Sequence, residues 1–593
     1  MRRGPQVTEK PDNVFENWKK LIKYSKKYWV ALIAAIFLSA GGNILTVLAP
    51  VRLGEMTNVI QQGIESTLNM DAVRIIGLSL VALYGFGGFF TLVQGWIMAT
   101  ITQRISENLR SDISIKINRL PMSFFSNTTV GDTLSRVTND VDTIGRALNM
   151  SVQNLISSGT MLIGSLVMML LTNVTLTLTA IAATALGMLL MALIMGRSQK
   201  YFVAQQNHLG AINGLIEETY SGHTIVKSYN AERKVRVDFT SMNEELRTTG
   251  FKAQALSSLM MPIMTFIGNL SYVAVCVVGA VLVMNGSIAF GVIVAFILYV
   301  RYFIQPLSQI AQAFQALQSA AAAGERVFEM LEAEEMANES HKNITLDKTK
   351  GEVEFKNVVF SYEDSAEPVI KNFSVKAKPG QKIAIVGHTG AGKTTIVNLL
   401  MRFYEIDAGE ITIDGVSIHN LPKDILRKQF CMVLQDTWVF EGTIRDNLVY
   451  NTENVTEEDL LRATEAVGMD HYIQTLPEGY DTYLDEKVSL SQGQKQQLTI
   501  ARAIISDKPM LILDEATSSV DTRTELKIQE AMDLLMEGRT TFVIAHRLST
   551  IRNADLILVM EEGDIVESGT HDELISQNGL YEDLYNSQFE QTE

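Results

Sequence analysis

The chain has 593 residues, of which 47% are hydrophobic and 20% are charged, and its mean hydropathy is +0.12. A chain of this length exceeds a single hydrophobic core and predicts several domains. The composition excludes disordered and collagen-like proteins and lies on the membrane side of an ordinary soluble protein. With only two cysteines, Cys276 and Cys431, the chain can form neither a zinc cluster nor a network of disulfides.

The net charge of −16 is divided unevenly along the chain. Residues 1–340 contain 26 Lys and Arg against 23 Asp and Glu, a net charge of +3. The remaining 253 residues contain 24 basic and 43 acidic side chains, a net charge of −19. Because a surface this acidic repels phosphate backbones, the second half argues against nucleic-acid binding, and the asymmetry predicts two different kinds of domain.

Long stretches without a charged residue mark the first half as a membrane domain. They cover residues 29–51, 75–103, 147–196 and 253–300. A helix needs about 20 residues to cross a bilayer. The last two runs, of 50 and 48 residues, therefore each predict two spans joined by a hairpin, with turns near Asn173 and Asn285. Six spans follow, because a soluble core does not produce uncharged runs of this length.

The basic residues predict the orientation of these spans. Lys and Arg are concentrated before the first span, in residues 104–146 and in residues 197–252, whereas residues 52–74 contain only Arg52 and Arg74. By the positive-inside rule, both termini are cytoplasmic and the protein is a multi-pass protein of the cell membrane. The first apolar run is too long and begins too late for a cleaved signal peptide.

The segment before the first span carries apolar side chains at helical spacing, with lysines between them. They are Phe15, Trp18, Leu21 and Ile22. This pattern predicts a short amphipathic helix on the inner leaflet, with a solvated basic tail as the alternative.

The predicted spans contain no Asp, Glu, Lys or Arg, so ion-coupled transport lacks its usual groups. They are rich in methionine instead, for example Met161, Met168 and Met191. Flexible thioethers suit a cavity for varied hydrophobic molecules, but a lipid-facing or packing surface explains the same residues.

In the second half, the apolar run Ile383–Val386 predicts a buried strand that leads into a glycine-rich loop and then into a helix. The loop has the pattern of a phosphate-binding loop. Its residues are Gly387, His388, Thr389, Gly390, Ala391, Gly392, Lys393, Thr394 and Thr395. The glycines let backbone N–H groups turn toward phosphate oxygens at a helix N-terminus. Lys393 would pair with the β- and γ-phosphates of a nucleotide, and the Thr394 hydroxyl would bind Mg²⁺.

A second apolar run, Met510–Leu513, predicts a strand that ends in two carboxylates, Asp514 and Glu515. In a P-loop ATPase, Asp514 would hold the Mg²⁺ and Glu515 would polarise the attacking water. An acidic pair at a strand end also arises by chance, so these roles depend on the motif that lies between the two strands.

That motif is Leu490-Ser491-Gln492-Gly493-Gln494, followed by a helical pattern over residues 495–503. A serine hydroxyl and a glycine N–H at a helix N-terminus form a second anion-binding site. With this motif and the phosphate-binding loop, the chain resembles the half-transporters among the ATP-binding cassette (ABC) exporters over essentially its whole length. The Leu-Ser-x-Gly-Gln signature is far more specific to that family than the phosphate-binding loop is.

The resemblance implies an all-α transmembrane domain of six helices followed by an α/β P-loop ATPase domain, the cassette. It implies ATP and Mg²⁺ as cofactors. It also implies a dimer, because in the family Ser491, Gly493 and Gln494 close over ATP that the partner subunit's phosphate-binding loop holds.

Other site residues are implied by their positions in the family's motifs. Tyr362 resembles the aromatic residue that stacks on adenine, and Gln435 resembles the glutamine that contacts Mg²⁺ and water. His546 resembles the switch histidine at the γ-phosphate, and residues 518–521 resemble the loop that crosses the cassette interface. The implied catalytic residues are Glu515, His546 and Gln435. The implied Mg²⁺ ligands are Thr394, Gln435 and Asp514.

The membrane half resembles the exporters as well. Residues 120–140 and 217–232 resemble the two cytoplasmic loops that carry short coupling helices in the family. We therefore expect a cytoplasmic N-terminus with an amphipathic helix, a transmembrane domain, a linker and a nucleotide-binding domain. Their predicted bounds are 1–28, 29–330, 331–349 and 350–593.

Two features depart from the family pattern. Gln492 stands where a glycine is common, and residues 483–489 lack the usual glycine–glutamate pair and are one residue short. Gln492 resembles the pattern of exporters that pair two different half-chains. A heterodimer is therefore favoured, and a homodimer stays open.

The sequence predicts ATP-driven export of a hydrophobic or amphipathic substrate (a drug, a lipid or a peptide) by alternating access, with this chain as one half of a dimer. A lipid flippase of the same architecture and an ATP-gated sensor or channel are the alternatives. An importer is disfavoured, because importers usually carry their spans and cassette on separate chains.

Overall fold

The computed structural model describes residues 14–65, 68–346, 348–363, 365, 367–435, 437–485, 490–514, 522–545 and 548–589. The chain divides into two compact units. The first, here called the membrane unit, comprises the chain up to Asn118 together with Thr129–Ala333. The second, here called the cassette unit, comprises Arg119–Thr128 and Glu334–Glu593.

Every element that the structure describes before the linker is a helix. In chain order the helices are α1 (Val14–Tyr24), α2 (Trp29–Glu65), α3 (Met70–Ile117), α4 (Met122–Asn127), α5 (Val130–Ser135), α6 (Val141–Arg146), α7 (Val152–Thr172), α8 (Val174–Ser221), α9 (His223–Ser228), α10 (Glu232–Ser258), α11 (Met260–Met284) and α12 (Phe290–Glu332). Of these, α4 lies in the cassette unit. Short helices thus occur in both predicted cytoplasmic loops.

Six helical segments among the described residues are long and apolar enough to cross a membrane, which confirms the predicted number of spans. They are Phe15–Ile64, Met70–Ile117, Val130–Thr172, Val174–Ser221, Thr265–Met284 and Phe290–Glu332. Asn173 separates α7 from α8, and Asn285 begins the turn between α11 and α12, as expected.

Several helices are much longer than the uncharged runs that predicted them. With 48 residues, α8 is about 72 Å long, more than twice the ~30 Å thickness of the hydrocarbon core. A charged residue limits the part of a helix that can lie in the hydrocarbon core, but it does not interrupt backbone hydrogen bonding. The helix therefore continues past it.

The segment predicted to form an amphipathic helix is the helix α1. Its Leu21 is only 1% exposed, near Gly324 of α12, whereas Phe15 is exposed. The Asn17 amide donates to Glu325 at 3.1 Å, and Lys20 pairs with Glu332 at 2.6 Å. The helix is therefore fastened to the end of α12 by one apolar and two polar contacts.

Two glycines let α2 and α12 approach closely inside the membrane unit. A Cβ atom at Gly291 would lie 1.9 Å from the carbonyl oxygen of Gly54. The Gly291 N–H donates to the Asn58 side chain at 2.6 Å, and the Tyr299 hydroxyl donates to the Val47 carbonyl at 3.1 Å. Small residues and interhelical hydrogen bonds are the usual means of helix association in membranes.

The cassette unit is built on strands. In chain order they are β1 (Val353–Phe360), β2 (Ile370–Ala377), β3 (Lys382–Gly387), β4 (Ala408–Ile413), β5 (Val416–Ser417), β6 (Phe430–Val433), β7 (Gly442–Thr443), β8 (Tyr483–Leu484), β9 (Met510–Asp514), β10 (Thr540–Ile544), β11 (Leu556–Glu561) and β12 (Asp564–Gly569). The helices of this unit after α4 are α13 (Lys393–Leu400), α14 (Lys423–Arg427), α15 (Ile444–Val449), α16 (Glu457–Ala466), α17 (Asp470–Thr475), α18 (Gln492–Ser506), α19 (Thr522–Met536), α20 (Leu548–Arg552), α21 (His571–Ser576) and α22 (Leu580–Phe589).

The largest sheet has six strands in the order β12-β11-β3-β10-β9-β6, and all neighbours except β12 and β11 are parallel. A second sheet has the order β2-β1-β4-β5 and is antiparallel. In the large sheet, β3, β9 and β10 are buried and apolar, as strands covered on both faces must be. Their parallel direction brings their carboxyl ends to one edge, where α/β proteins bind ligands.

The elements predicted around the motifs agree with these bounds. Ile383–Val386 lies within β3, and Met510–Leu513 lies within β9. The helix predicted over residues 495–503 is the middle of α18. At the predicted linker (331–349), α12 continues to Glu332 and so includes its first two residues.

The close approach of α2 and α12 predicts that Gly291→Ala destabilises the membrane unit. The added methyl group meets the backbone of Gly54, and overpacking of this kind costs about 1–3 kcal/mol. Thermal unfolding in detergent should show a lower midpoint for Gly291→Ala. Gly85→Ala on α3 is the control, because a Cβ atom there meets nothing within 4 Å. Equal midpoints for the two variants would contradict the close packing.

Candidate nucleotide-binding site

The phosphate-binding loop connects the carboxyl end of β3 to the start of α13. Gly390 and Gly392 have φ angles of +90° and +97°, a backbone conformation that side chains with a Cβ atom rarely adopt. A Cβ atom at Gly392 would also lie 2.8 Å from Ile370 of β2, whereas one at Gly390 would meet nothing within 4 Å. The loop thus places two left-handed residues just before a helix N-terminus, the backbone arrangement that phosphate-binding loops use.

Lys393 is the first residue of α13 and is 9% exposed. Its ammonium group donates to the carbonyls of Gly387 at 2.8 Å and His388 at 3.0 Å, so it folds back over the loop. Burial lowers the pKa of Lys393, and the Asp514 carboxylate opposes that shift. The lysine thus lies on the loop that phosphates would occupy, held by two carbonyl contacts that a phosphate could replace.

The residues next to Lys393 differ in exposure. Thr394 is exposed, whereas Thr395 is 6% exposed and shares a hydrogen bond of 3.1 Å with the Tyr362 hydroxyl. His388, Thr389 and Gly390 form the exposed rim of the loop, and Ala391 is buried beneath it. The loop and the tyrosine expected to stack on adenine are therefore joined directly.

Strand register places two further predicted residues along the same edge of the sheet. Asp514 ends β9 and pairs with Ile544 of β10. Ile544 pairs on its other side with Ile385 of β3, the strand that leads into the phosphate-binding loop. Gln435 is exposed and lies two residues after Val433 of β6, which pairs with Leu513. Asp514 lies two strands from the phosphate-binding loop, close enough to act electrostatically on Lys393.

The signature motif begins α18. Ser491 is its N-cap: its hydroxyl accepts from the Gln494 N–H at 3.3 Å, and the Gln494 side chain accepts from the Ser491 N–H at 2.9 Å. Ser491 is exposed, and Gly493 is buried behind it. Because the Ser491 oxygen accepts in the cap, its own hydrogen stays available for donation to an anion.

The signature helix and the phosphate-binding loop pack in different parts of the cassette unit. Leu490 and Leu498 belong to one hydrophobic cluster, and Ala391 and Ile396 belong to another. The two anion-binding helix ends are thus supported by separate cores within one chain.

Several predicted residues lie outside the part of the chain that the structure describes. They are Glu515, residues 518–521 and His546. The same is true of residues 486–489, in the altered segment before the signature.

The oxygen donors near the loop are compatible with Mg²⁺ bound together with phosphates. Among the described residues, no group of three or more His, Cys, Asp or Glu side chains could hold a metal ion. Mg²⁺ usually keeps waters and binds one or two protein oxygens together with substrate phosphates. An exposed Thr394 and a half-buried Asp514 near an open phosphate loop meet that requirement.

One residue of this region was not predicted from the sequence. The ring centroids of Tyr404 and Tyr362 are 5.1 Å apart, and both rings pack against Phe360. Tyr404 follows α13 in an irregular turn, where no periodic pattern signals a role, so only the folded chain brings it to Tyr362.

Comparison with known proteins agrees with this geometry. Residues 32–307 match the family model described as ABC transporter transmembrane region, and residues 370–518 match the one described as ABC transporter. The two matches fall in the segments that carry the spans and the phosphate-binding loop.

Individual relatives are similar over most of their length. The chain is 45% identical to a fatty acid ABC transporter ATP-binding/permease protein of Mycobacterium bovis, over 86% of this chain and 80% of the relative. It is 37% identical to a probable multidrug resistance ABC transporter ATP-binding/permease protein of Bacillus subtilis, over 86% and 76%. It is 34% identical to an ATP-dependent lipid A-core flippase of Syntrophus aciditrophicus, over 88% and 87%.

Six membrane-length helices followed by a P-loop ATPase domain with a second anion-binding helix define an ATP-hydrolysing membrane transporter. The chain belongs to the ABC transporter family and is a half-transporter of the exporter type. It is therefore a multi-pass membrane protein that binds ATP.

Lys393→Ala should weaken ATP binding about 10- to 100-fold, because a hydrogen bond from a charged group to phosphate is lost. The stabilisation that ATP and Mg²⁺ give against thermal unfolding measures this loss in the intact chain. Lys356→Ala is the control, since Lys356 is a half-exposed surface residue of β1 paired with Glu354. An unchanged response to ATP in Lys393→Ala would contradict the assignment of the loop.

Proposed function

We propose that this chain uses ATP hydrolysis to export a hydrophobic or amphipathic molecule from the cytoplasmic side of the membrane. The observation that carries the proposal is the nucleotide-binding geometry around Lys393, on the same chain as a large uncharged cavity in the membrane unit. A chain with only the first feature could be a soluble ATPase, and one with only the second could be a passive binder.

The cavity has a volume of about 1040 Å³. Its apolar walls include Leu21 of α1, Trp29 and Leu32 of α2, Met98 of α3 and Phe314 of α12. Of the described residues that line it, none is Asp, Glu, Lys or Arg. This volume reaches the upper end of sites that hold drug-sized ligands, and an uncharged lining favours a ligand whose buried part is apolar.

The names of the relatives support the same substrate class. One is named for fatty acids and another for lipid A-core, and a third is named as a probable multidrug resistance transporter. Fatty acids and lipid A carry long apolar chains. A lipid flippase of the same architecture is thus a second candidate, distinguished by the movement of a labelled lipid between leaflets.

The proposed roles of the nucleotide-site residues follow their positions in the sequence motifs. Tyr362 stacks on adenine, the loop from Gly387 to Thr395 binds the phosphates, and Glu515 activates water. The proposed Mg²⁺ ligands are Thr394, Gln435 and Asp514. When bound, Mg²⁺ supplies charge neutralisation at the phosphates. His546 contacts the γ-phosphate.

We further propose that two half-transporters form the working unit, with both termini in the cytoplasm. Ser491, Gly493 and Gln494 would then face ATP on the partner subunit. The exposed hydroxyl of Ser491, at the N-terminus of α18, suits this role. A different half-transporter is favoured as partner because of Gln492.

Glu515→Gln should leave ATP binding intact and reduce hydrolysis by at least about 100-fold, because an amide cannot accept the proton of the attacking water. Phosphate release and the ATP-dependent rise in unfolding temperature, measured on the same preparation, separate the two effects. Glu537→Gln, an exposed carboxylate in the same unit, is the control. Unchanged phosphate release in Glu515→Gln would assign the catalytic role to another residue.

The heterodimer proposal predicts that the two anion sites of this chain are not equivalent. Glu515→Gln should stop most hydrolysis, and Ser491→Ala should cost less, because Ser491 would face only the partner's weaker site. The chain purified alone should hydrolyse ATP slowly. A stable homodimer that hydrolyses ATP rapidly and loses equal activity in both variants would end the heterodimer proposal and leave a symmetric exporter.

A further inference from the structure

Two segments carry the chain between the membrane unit and the cassette unit, and both belong to the cassette unit. They are Arg119–Thr128, which contains α4, and the residues that follow Ala333. The Met336 N–H donates to the Arg119 carbonyl at 2.9 Å, so the two segments are hydrogen-bonded to each other. Both also reach the turn that follows the phosphate-loop helix α13, through different residues.

The first segment reaches this turn through α4. The hydroxyls of Ser126 and Tyr404 are 2.8 Å apart and share a hydrogen bond across 278 residues of sequence. Ser126 is exposed and Tyr404 is half-buried. While this bond is formed it restricts how α4 and the turn are placed relative to each other, because each hydroxyl must lie within about 3 Å of the other.

Tyr404 continues this connection to the nucleotide site. Its ring contacts Tyr362 edge to face at 5.1 Å, and the Tyr362 hydroxyl bonds to Thr395 at 3.1 Å. Thr395 lies two residues after Lys393 on α13. Three consecutive contacts thus lead from α4 to the residues that would hold adenine and phosphate.

The second segment is bonded to the turn through Arg402. Arg402 is buried and donates to the carbonyls of Ile418 at 3.0 Å and Leu421 at 2.9 Å, and it pairs with Glu339 of the linker at 2.5 Å. Burial by itself would raise the pKa of Glu339, but hydrogen bonds from Lys342, the Lys423 backbone and Arg402 lower it to about 2. Glu339 therefore stays ionised in this pair.

Because Arg402 is held by contacts on several sides, the turn resists movement when α4 shifts. A displacement at Ser126 must then be taken up by the Tyr404 side chain or passed to Tyr362. Packed side chains with few alternative arrangements transmit such shifts rather than absorb them.

We propose that Tyr404 is a positioning residue for the nucleotide site: its hydroxyl ties the adenine-stacking Tyr362 to α4. The proposal rests on the proposed role of Tyr362 in binding ATP. It assigns a function to a hydroxyl group that lies outside every ATP-binding motif of the chain.

The test uses the intact chain, in the assembly in which it hydrolyses ATP, and compares KM for ATP with kcat. Tyr404→Phe and Ser126→Ala each remove the shared hydrogen bond and should each raise KM about two- to fivefold, with kcat changed less than twofold. Ser126→Thr keeps the hydroxyl and should keep KM near its original value. The double variant Ser126→Ala with Tyr404→Phe should raise KM no further than either single change, because both remove the same bond.

Tyr480→Phe is the matched control, since the Tyr480 hydroxyl bonds to the Thr464 hydroxyl at 2.7 Å elsewhere in the cassette unit. It should lower the unfolding temperature as much as Tyr404→Phe does and leave KM unchanged. The proposal is overturned if neither single variant changes KM, if only one of them does, or if their effects add in the double variant. An unchanged chain that hydrolyses no ATP would instead contradict the proposed function.

Discussion

The cassette unit depends on one constraint: backbone N–H groups at the start of α13 must point toward a space large enough for phosphates. Only a loop with left-handed residues satisfies this, and Gly390 and Gly392 provide them. The loop must also end a strand that cannot move, and β3 lies between β11 and β10 in the middle of the sheet. Because the neighbouring strands are parallel, their ends bring Asp514 and Gln435 to the same edge.

Much of this arrangement could be predicted from the sequence, because it is local or periodic. Ile383–Val386 is a short apolar run that ends in a glycine-rich loop, so strand, loop and helix follow from adjacent residues. The helix N-terminus at Ser491 was predicted as well, because the signature motif precedes a helical pattern over residues 495–503. The six spans follow from the length of the uncharged runs alone. Because backbone N–H and C=O groups find no water partners in a bilayer, a helix is one of the few structures that can cross it.

What could not be predicted depends on contacts between residues far apart in the chain. The uncharged runs predicted where each helix crosses the membrane. They did not predict the ends of α3 and α8, which lie well beyond those runs. Likewise, nothing near Arg402 in the sequence points to Glu339, 63 residues earlier, or near Tyr404 to Ser126, 278 residues earlier. Such pairs are set by the tertiary fold, and they connect the linker and α4 to the nucleotide site.

ATP turnover in the cassette, on this view of the chain, moves an apolar molecule across the membrane. Reconstitution into lipid vesicles with the cassette outside tests it directly, with an uncharged fluorescent apolar probe and ATP added outside. We expect the probe to accumulate inside only when ATP and Mg²⁺ are present, and accumulation to cease when hydrolysis is blocked. ATP hydrolysis at an undiminished rate without movement of either the probe or a labelled lipid would contradict the account and favour a cassette that only gates or senses.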